Sequence, residues 1–190
     1  MANGEKNKGN IQQEPCTARN APPEGVGSIE LNLTQAEIDA IKEYTGDAYI
    51  NINDSLRGLD TMTDENKIIH DHLSSALDRA RLPSDMILYR GASTQGLGAL
   101  RELSPDELIG KIFTEQAYMS TSTIETVAEG IFGDMLMTIH APMGAKGLDV
   151  SSISAFTHEA EILFQAGTKM LIIDAKIIDG IHHIVVEILL

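Results

Sequence analysis

The stretch LDRARLPSDMILYRG, residues 77–91, contains the change of pattern that decides the fold. Upstream of Pro83, the residues Ile69, Leu73, Ala76, Leu77 and Ala80 recur at helical spacing. They predict one apolar face of a helix running from Asp64 to about Arg81. Past Pro83 the pattern is different: MILYRG, residues 86–91, reads as a short strand closed by a glycine.

Toward the N-terminus the helical character continues. In LTQAEI, residues 33–38, Thr34 is placed to cap a helix and Glu37 to reach back to it, with Leu33 and Ile38 as the hydrophobic staple. Ile38, Ile41 and Tyr44 supply its apolar face before Gly46, and a second helix is predicted over residues 47–58. Residues 1–28 hold Pro15, Pro22 and Pro23 among Gly, Asn, Gln and Glu, with almost no large apolar residue. They read as a disordered leader or linker, and one domain is expected over residues 29–190.

Toward the C-terminus the strands multiply. KIFTEQAYMSTS (111–122) reads as one strand, and Ser122 with Glu125 as the cap of a short helix to about Gly130. MLMTIHA, KGLDV, EAEILF, KMLIIDAKII and HHIVVEILL then read as strands separated by Gly, Pro or Asp. Helices first and strands afterwards predict an α+β domain with a mixed or antiparallel β core, not alternating βαβ units.

Composition narrows the function classes. The formal charge of −14, from 28 acids against 14 bases, argues against a broad nucleic-acid surface. No apolar run approaches the roughly 20 residues of a membrane helix, and no signal peptide is visible in MANGEKNKGN. The single Cys16 rules out an internal disulfide. GLG at 96–98 does not continue into a phosphate loop, and neither the His70/His72 pair nor the His182/His183 pair has a metal-ligand spacing, so no metal is expected.

Three segments hold chemistry-bearing residues, each with a plain alternative. Arg90 is either a strand-end arginine paired with a surface acid or a guanidinium gripping a phosphate, with Gly91 admitting close approach. Ser120, Thr121 and Ser122 in YMSTSTI either cap a helix or line a site around a carboxylate. Glu159 and Glu161, in FTHEAEILF (156–164), are two apart and expected on one face of a strand edge. They are either a solvated face or paired carboxylates suited to a glycosidic bond, where an oxocarbenium ion develops.

In their order and spacing, Arg90, Ser120-Thr121-Ser122 and Glu159-Ala160-Glu161 together resemble the bacterial mono-ADP-ribosyltransferase toxins. Those carry an arginine, a Ser-Thr-Ser strand and a Glu-x-Glu or Gln-x-Glu pair in this order. YTGDAYININDSLR (44–57) is similar to the family's Tyr-Thr…Tyr…Ile-Asn…Leu-Arg helix, so the matching segments span residues 35 to 190.

The resemblance implies NAD⁺ as co-substrate, in a cleft of a two-sheet β core behind N-terminal helices. It implies that Arg90, Arg57, Asn53, Gly91, Thr121 and Phe132 bind the dinucleotide. Ser120 would steady the catalytic Glu161, while Glu159 and Phe156 would recognise the acceptor. Glu rather than Gln at position 159 implies an arginine acceptor, with actin as first candidate. A monomeric toxin or effector is expected, secreted or injected by a route without a visible signal and acting in the target cytosol. The alternatives are a NAD⁺ glycohydrolase, a transferase acting on bacterial proteins or nucleic acid, and an inactive NAD-binding module. One departure stands out: GIFGDM (130–135) has Phe132 but Asp134, and no arginine for the phosphates.

Overall fold

The computed structural model describes residues 31–130, 133–155 and 160–190. The expected leader, Phe132, Phe156 and Glu159 lie outside the described residues. The first helix, α1, spans Gln35–Glu43 and carries the full capping box. Thr34 Oγ1 accepts from the Glu37 N–H at 3.3 Å, and Glu37 Oε2 accepts from the Thr34 N–H at 2.9 Å. The chain then widens into one π turn, Tyr44–Ala48, before α2, Tyr49–Leu56. The helix expected over 47–58 is therefore shorter and is entered through a π turn. Arg57 closes α2, and Gly58 at φ 74° takes the left-handed step that ends it. α3 runs Asp64–Arg79, capped by Thr63.

The strands are β1 Met86–Ala92, β2 Ile112–Glu115, β3 Met119–Ser122, β4 Met135–Ala141, β5 Gly147–Asp149, β6 Glu161–Phe164, β7 Thr168–Ile178 and β8 Ile181–Ile188. A 3₁₀ stretch, Thr94–Glu102, and the short α4, Pro105–Leu108, lie between β1 and β2; α5, Glu125–Gly130, follows β3. The single strand expected over 111–122 is two, β2 and β3. At the break the Glu115 carboxylate, held by the distant Arg57, accepts from the Ala117 N–H at 3.1 Å, capturing a donor that a ladder would have used.

All eight strands share one order, β2-β7-β8-β4-β1-β3-β6-β5. The β4–β8 pair is parallel and the others are antiparallel. The two sheets expected from the sequence are two halves of this order, joined where β1 meets β3 at a single register pair, Tyr89↔Ser122. The larger half is strongly rolled. β2 and β3 stand five places apart, which on a flat sheet is about 24 Å. Three residues link them, a reach of at most about 14 Å. The strands must curl until β2 comes round to β3.

Inside the roll sits one core, with Leu88, Met119, Ile139, Ile162, Phe164, Met170, Ile172 and Val186 all buried. A second core lies between the helices and the β3–β6 half: Ile41, Tyr44, Ile52, Leu73 and Leu77 pack with Tyr118, Val150 and Leu163. Truncating such a residue to alanine costs about 2–5 kcal/mol. Adjacent residues of β6 thus serve different cores, Leu163 facing the helices and Phe164 the roll. Glu161, with the parity of Leu163, faces the helices at the start of the strand.

Candidate active site

Tyr89, Ser122 and Glu161 lie side by side across β1, β3 and β6, because Ser122 is in register with both of the others. Glu161 is only 5% exposed, yet it opens a strand otherwise made of Ile162, Leu163 and Phe164. A buried carboxylate needs hydrogen bonds, and Ser154 donates one from its Oγ to Glu161 Oε2 at 3.0 Å. Ser154 is itself buried and held by its N–H on the Val150 carbonyl, at 2.7 Å. The next residue, Ala155, donates its N–H to Thr45 Oγ1 at 3.0 Å, which ties this turn to the π turn behind α1.

Two arginines far apart in sequence meet at one acid. Arg57 donates from Nε and from Nη2 to Glu115 Oε1, each at 3.1 Å. Arg90 Nη2 stands 3.7 Å from Glu115 Oε2, and its Nη1 donates to the Ser120 carbonyl at 3.0 Å. Glu115 is 13% exposed and holds both guanidinium groups with one carboxylate. Burial pushes the Arg90 pKa down and the Glu115 charge opposes this; a guanidinium stays protonated regardless. The trio therefore keeps a net charge of about +1, and the strand that carries Arg90, β1, is separated from that of Glu161, β6, by β3 alone.

Tyr44 reports that these charges share one neighbourhood. Its phenol is pushed well up, first by burial; the hydrogen bond with Asn53 and the charges of Arg90 and Arg57 oppose this, and that of Glu161 adds to it. Its ring meets Tyr118 edge-on, with centroids 5.3 Å apart and planes at 78°.

The other expected residues divide. Ser120 shares the parity of Ser122, and its hydroxyl is exposed while its carbonyl holds Arg90. Gly91 follows Arg90 in β1, opposite Leu136. Asn53 is buried, and its amide is engaged with the Tyr44 hydroxyl at 3.0 Å, so it braces α2 against the π turn. Thr121 has the opposite parity in β3, the parity of Arg90 in β1, and its hydroxyl donates to the Ile162 carbonyl at 2.8 Å.

The paired-carboxylate expectation involves Glu159, which lies outside the described residues. Ala160 sits at φ 47°, in the left-handed region, and β6 begins at Glu161. Asp134, which stands near the place of the missing arginine, accepts from the Thr94 N–H at 2.7 Å and the Thr94 hydroxyl at 2.6 Å. The hydroxyl contact first, then the N–H, holds its carboxyl below the usual range. Beside it, a Cβ on Gly133 would collide with the Ala92 carbonyl, so this turn must pack directly on the end of β1.

A cleft of about 500 Å³ adjoins Arg57 and Glu115, lined also by Leu97, Gly98 and Phe113 among others. Among the described residues no group of three or more His, Cys, Asp or Glu is arranged to hold a metal, and no helix is long and apolar enough to cross a membrane. Two residues that matter here, Glu115 and Ser154, were not picked out from the sequence. The acid five places before Ser120 and the serines just upstream of Phe156 are the available signals. The arrangement presents cationic donors for an anion next to a fixed, buried negative charge.

Comparison with known proteins gives this geometry a family. The family model described as ADP-ribosyltransferase exoenzyme matches residues 18–190. Secreted exoenzyme S of Pseudomonas aeruginosa is 31% identical over 156 residues, 81% of this chain and 32% of that protein. The NAD(+)--protein-arginine ADP-ribosyltransferase Tre1 of Serratia proteamaculans is 26% identical over 169 residues, 88% of this chain and 35% of that protein. The chain thus spans about a third of the length of these relatives. The solved structure of exoenzyme S from Pseudomonas aeruginosa, in complex with human 14-3-3 protein beta and bound to carba-NAD, superposes with a TM-score of 0.69 at 26% identity. It covers 81% of this chain and 74% of that one.

Proposed function

As this chain belongs to the ADP-ribosyltransferase exoenzyme family, we propose that it transfers ADP-ribose from NAD⁺ to an arginine of another protein. The observation that carries the reading is the convergence of Arg57 and Arg90 on Glu115, with Arg90 on the strand two places from that of the buried Glu161. A pair of guanidinium groups with net positive charge suits a diphosphate, through forked donors that a lysine lacks. The co-substrate supplies the ADP-ribosyl group as nicotinamide departs.

Each residue then has a role. Arg57 and Arg90 grip the phosphates, and Gly91 lets the nicotinamide end approach the β1 backbone. Glu161, oriented by Ser154, keeps a negative charge fixed where positive charge grows on the ribose. Pre-placed groups of this kind are typically worth on the order of 10²–10³ in rate. Ser120, exposed on the Glu161-facing side of β3, steadies that carboxylate. Glu159 orients the acceptor guanidinium and takes up its proton, and Phe156 belongs to the loop that recognises the acceptor. With Asp134 engaged by Thr94, the phosphate grip falls to Arg57 and Arg90.

The likeness to Tre1, a NAD(+)--protein-arginine ADP-ribosyltransferase, supports arginine as acceptor, and the carba-NAD in the exoenzyme S structure supports the co-substrate. Actin is the first candidate target on the family resemblance, whereas the protein in complex with exoenzyme S is human 14-3-3 beta. The name of secreted exoenzyme S supports a toxin or effector delivered to another cell. Labelled NAD⁺ incubated with the protein and an arginine peptide, actin or a host-cell lysate tests the reading. Label on an arginine side chain is the expected result. Nicotinamide release with no transfer to any acceptor would replace it with NAD⁺ hydrolysis.

A further inference from the structure

We propose that Glu115 is a positioning residue for the co-substrate site. It is the shared anchor that holds Arg57 and Arg90 in the spacing a diphosphate needs. The inference rests on the transferase reading above. Glu115 is the last residue of β2, and its backbone is fixed by its carbonyl accepting the Gly167 N–H at 2.8 Å. Its Oε1 accepts from three donors, Nε and Nη2 of Arg57 and the N–H of Ala117, all at 3.1 Å. Its Oε2 faces Arg90. Arg57 thereby spends one edge of its fork on the acid and keeps Nη1 and an outer N–H of Nη2 for a ligand. Arg90, with Nη1 on the Ser120 carbonyl, is fixed from two sides.

Two effects of this carboxylate oppose each other, and the geometry decides between them. As a charge, Glu115 lowers the cationic field from about +2 to about +1, so neutralising it should tighten binding of an anion. As an anchor, it immobilises two long side chains in advance of binding. Each rotamer-rich side chain left to be ordered by the ligand weakens binding by about two- to tenfold. The acid is shared by both arginines and fixed by strand pairing and a backbone N–H, so the anchoring effect should win.

The test uses Glu115→Gln in the full chain. Glutamine keeps an acceptor for the Ala117 N–H but loses the charge that holds both forks. NAD⁺ affinity is measured by calorimetry, nicotinamide release gives KM and kcat, and thermal unfolding checks the fold. We expect NAD⁺ to bind about tenfold more weakly, with the loss falling on KM rather than kcat and melting within a few degrees of the parent. Affinity equal to or tighter than the parent overturns the proposal, as does a loss confined to kcat. Should Glu115→Gln fail to fold, Glu115→Asp is judged by the same criteria, because its shorter arm keeps the charge but does not span both guanidinium groups. A parent protein that binds no NAD⁺ overturns the transferase reading and this inference with it; a parent that turns NAD⁺ over leaves the variant to decide Glu115 alone.

Discussion

Glu37→Gln should destabilise the protein in a way that depends on pH. Glu37 lies in the first turn of α1, is 3% exposed, and its carboxylate accepts four hydrogen bonds from three donor groups. One oxygen accepts from the Thr34 N–H at 2.9 Å, the other from Ser75 Oγ at 3.0 Å, and Arg79 Nη2 reaches both oxygens at 2.9 Å. Burial alone would raise its pKa, but the bonds from the Thr34 backbone, Arg79, Ser75 and the Thr34 side chain outweigh that, taking it from 4.5 to about 2. At about 1.4 kcal/mol per tenfold in proton affinity, this is roughly 3 kcal/mol. That figure is an upper bound, because the Arg79 side chain is 45% exposed and its share is screened by solvent. The folded-state value is depressed, so the stabilisation is complete above the unfolded value near 4.5 and is lost as pH falls toward 2. Parent and variant should differ by up to roughly 3 kcal/mol at neutral pH and by less than half of that at about pH 3. Urea unfolding of both proteins between pH 2 and 7 measures the difference. If their stability curves stay parallel through that window, Glu37 is not held ionised and the reasoning is wrong.

Three predictions concern the chemistry. Glu161→Ala should lower both ADP-ribose transfer and nicotinamide release by about 10²–10³ or more, and near-parental NAD⁺ turnover by a folded variant would refute its role. Glu159→Gln should lose arginine modification by about 10² or more, on the scale of a lost acid–base group, while keeping much of the NAD⁺ hydrolysis rate. Equal loss of both activities would move Glu159 to the NAD⁺ site. Arg90→Lys should weaken NAD⁺ binding by about 10- to 150-fold, the equivalent of roughly 1.5–3 kcal/mol, since a point charge does not replace the fork. Parental affinity in a binding titration would remove Arg90 from the phosphate grip.

What was legible in the sequence was mostly local. Thr34 and Glu37 announce α1 because a capping box involves residues three apart. The run MLMTIHA coincides with β4, Met135–Ala141, because a doubly buried strand is a continuous apolar run. The break between β2 and β3 was not legible, because Glu115 is held there by an arginine 58 residues away. Ala160 carries no sign of its left-handed conformation, as glycine or asparagine would, so Glu159 and Glu161 read as strand neighbours. Alternation alone could have separated Thr121 from Ser120 and Ser122, since the middle residue of a three-residue strand motif faces away. Ser154 was one hydroxyl among Ser151, Ser152 and Ser154, and only the packing of the turn after β5 selects it.

The roll of the sheet turns Gln116, Ala117 and Tyr118 into a ruler. They join the end of β2, where Glu115 holds two guanidinium groups, to β3, which lies beside Glu161. The span has little slack, and side chains alternate along the strand that follows it. Lengthening it by one residue would either draw Glu115 off its arginines or reverse β3. Reversal would send Ser120 and Ser122 into the roll and present Thr121 to the helices. The grip on one side of the seam and the carboxylate on the other are kept in step by a count of residues, with Tyr89↔Ser122 as the single ladder contact between the halves.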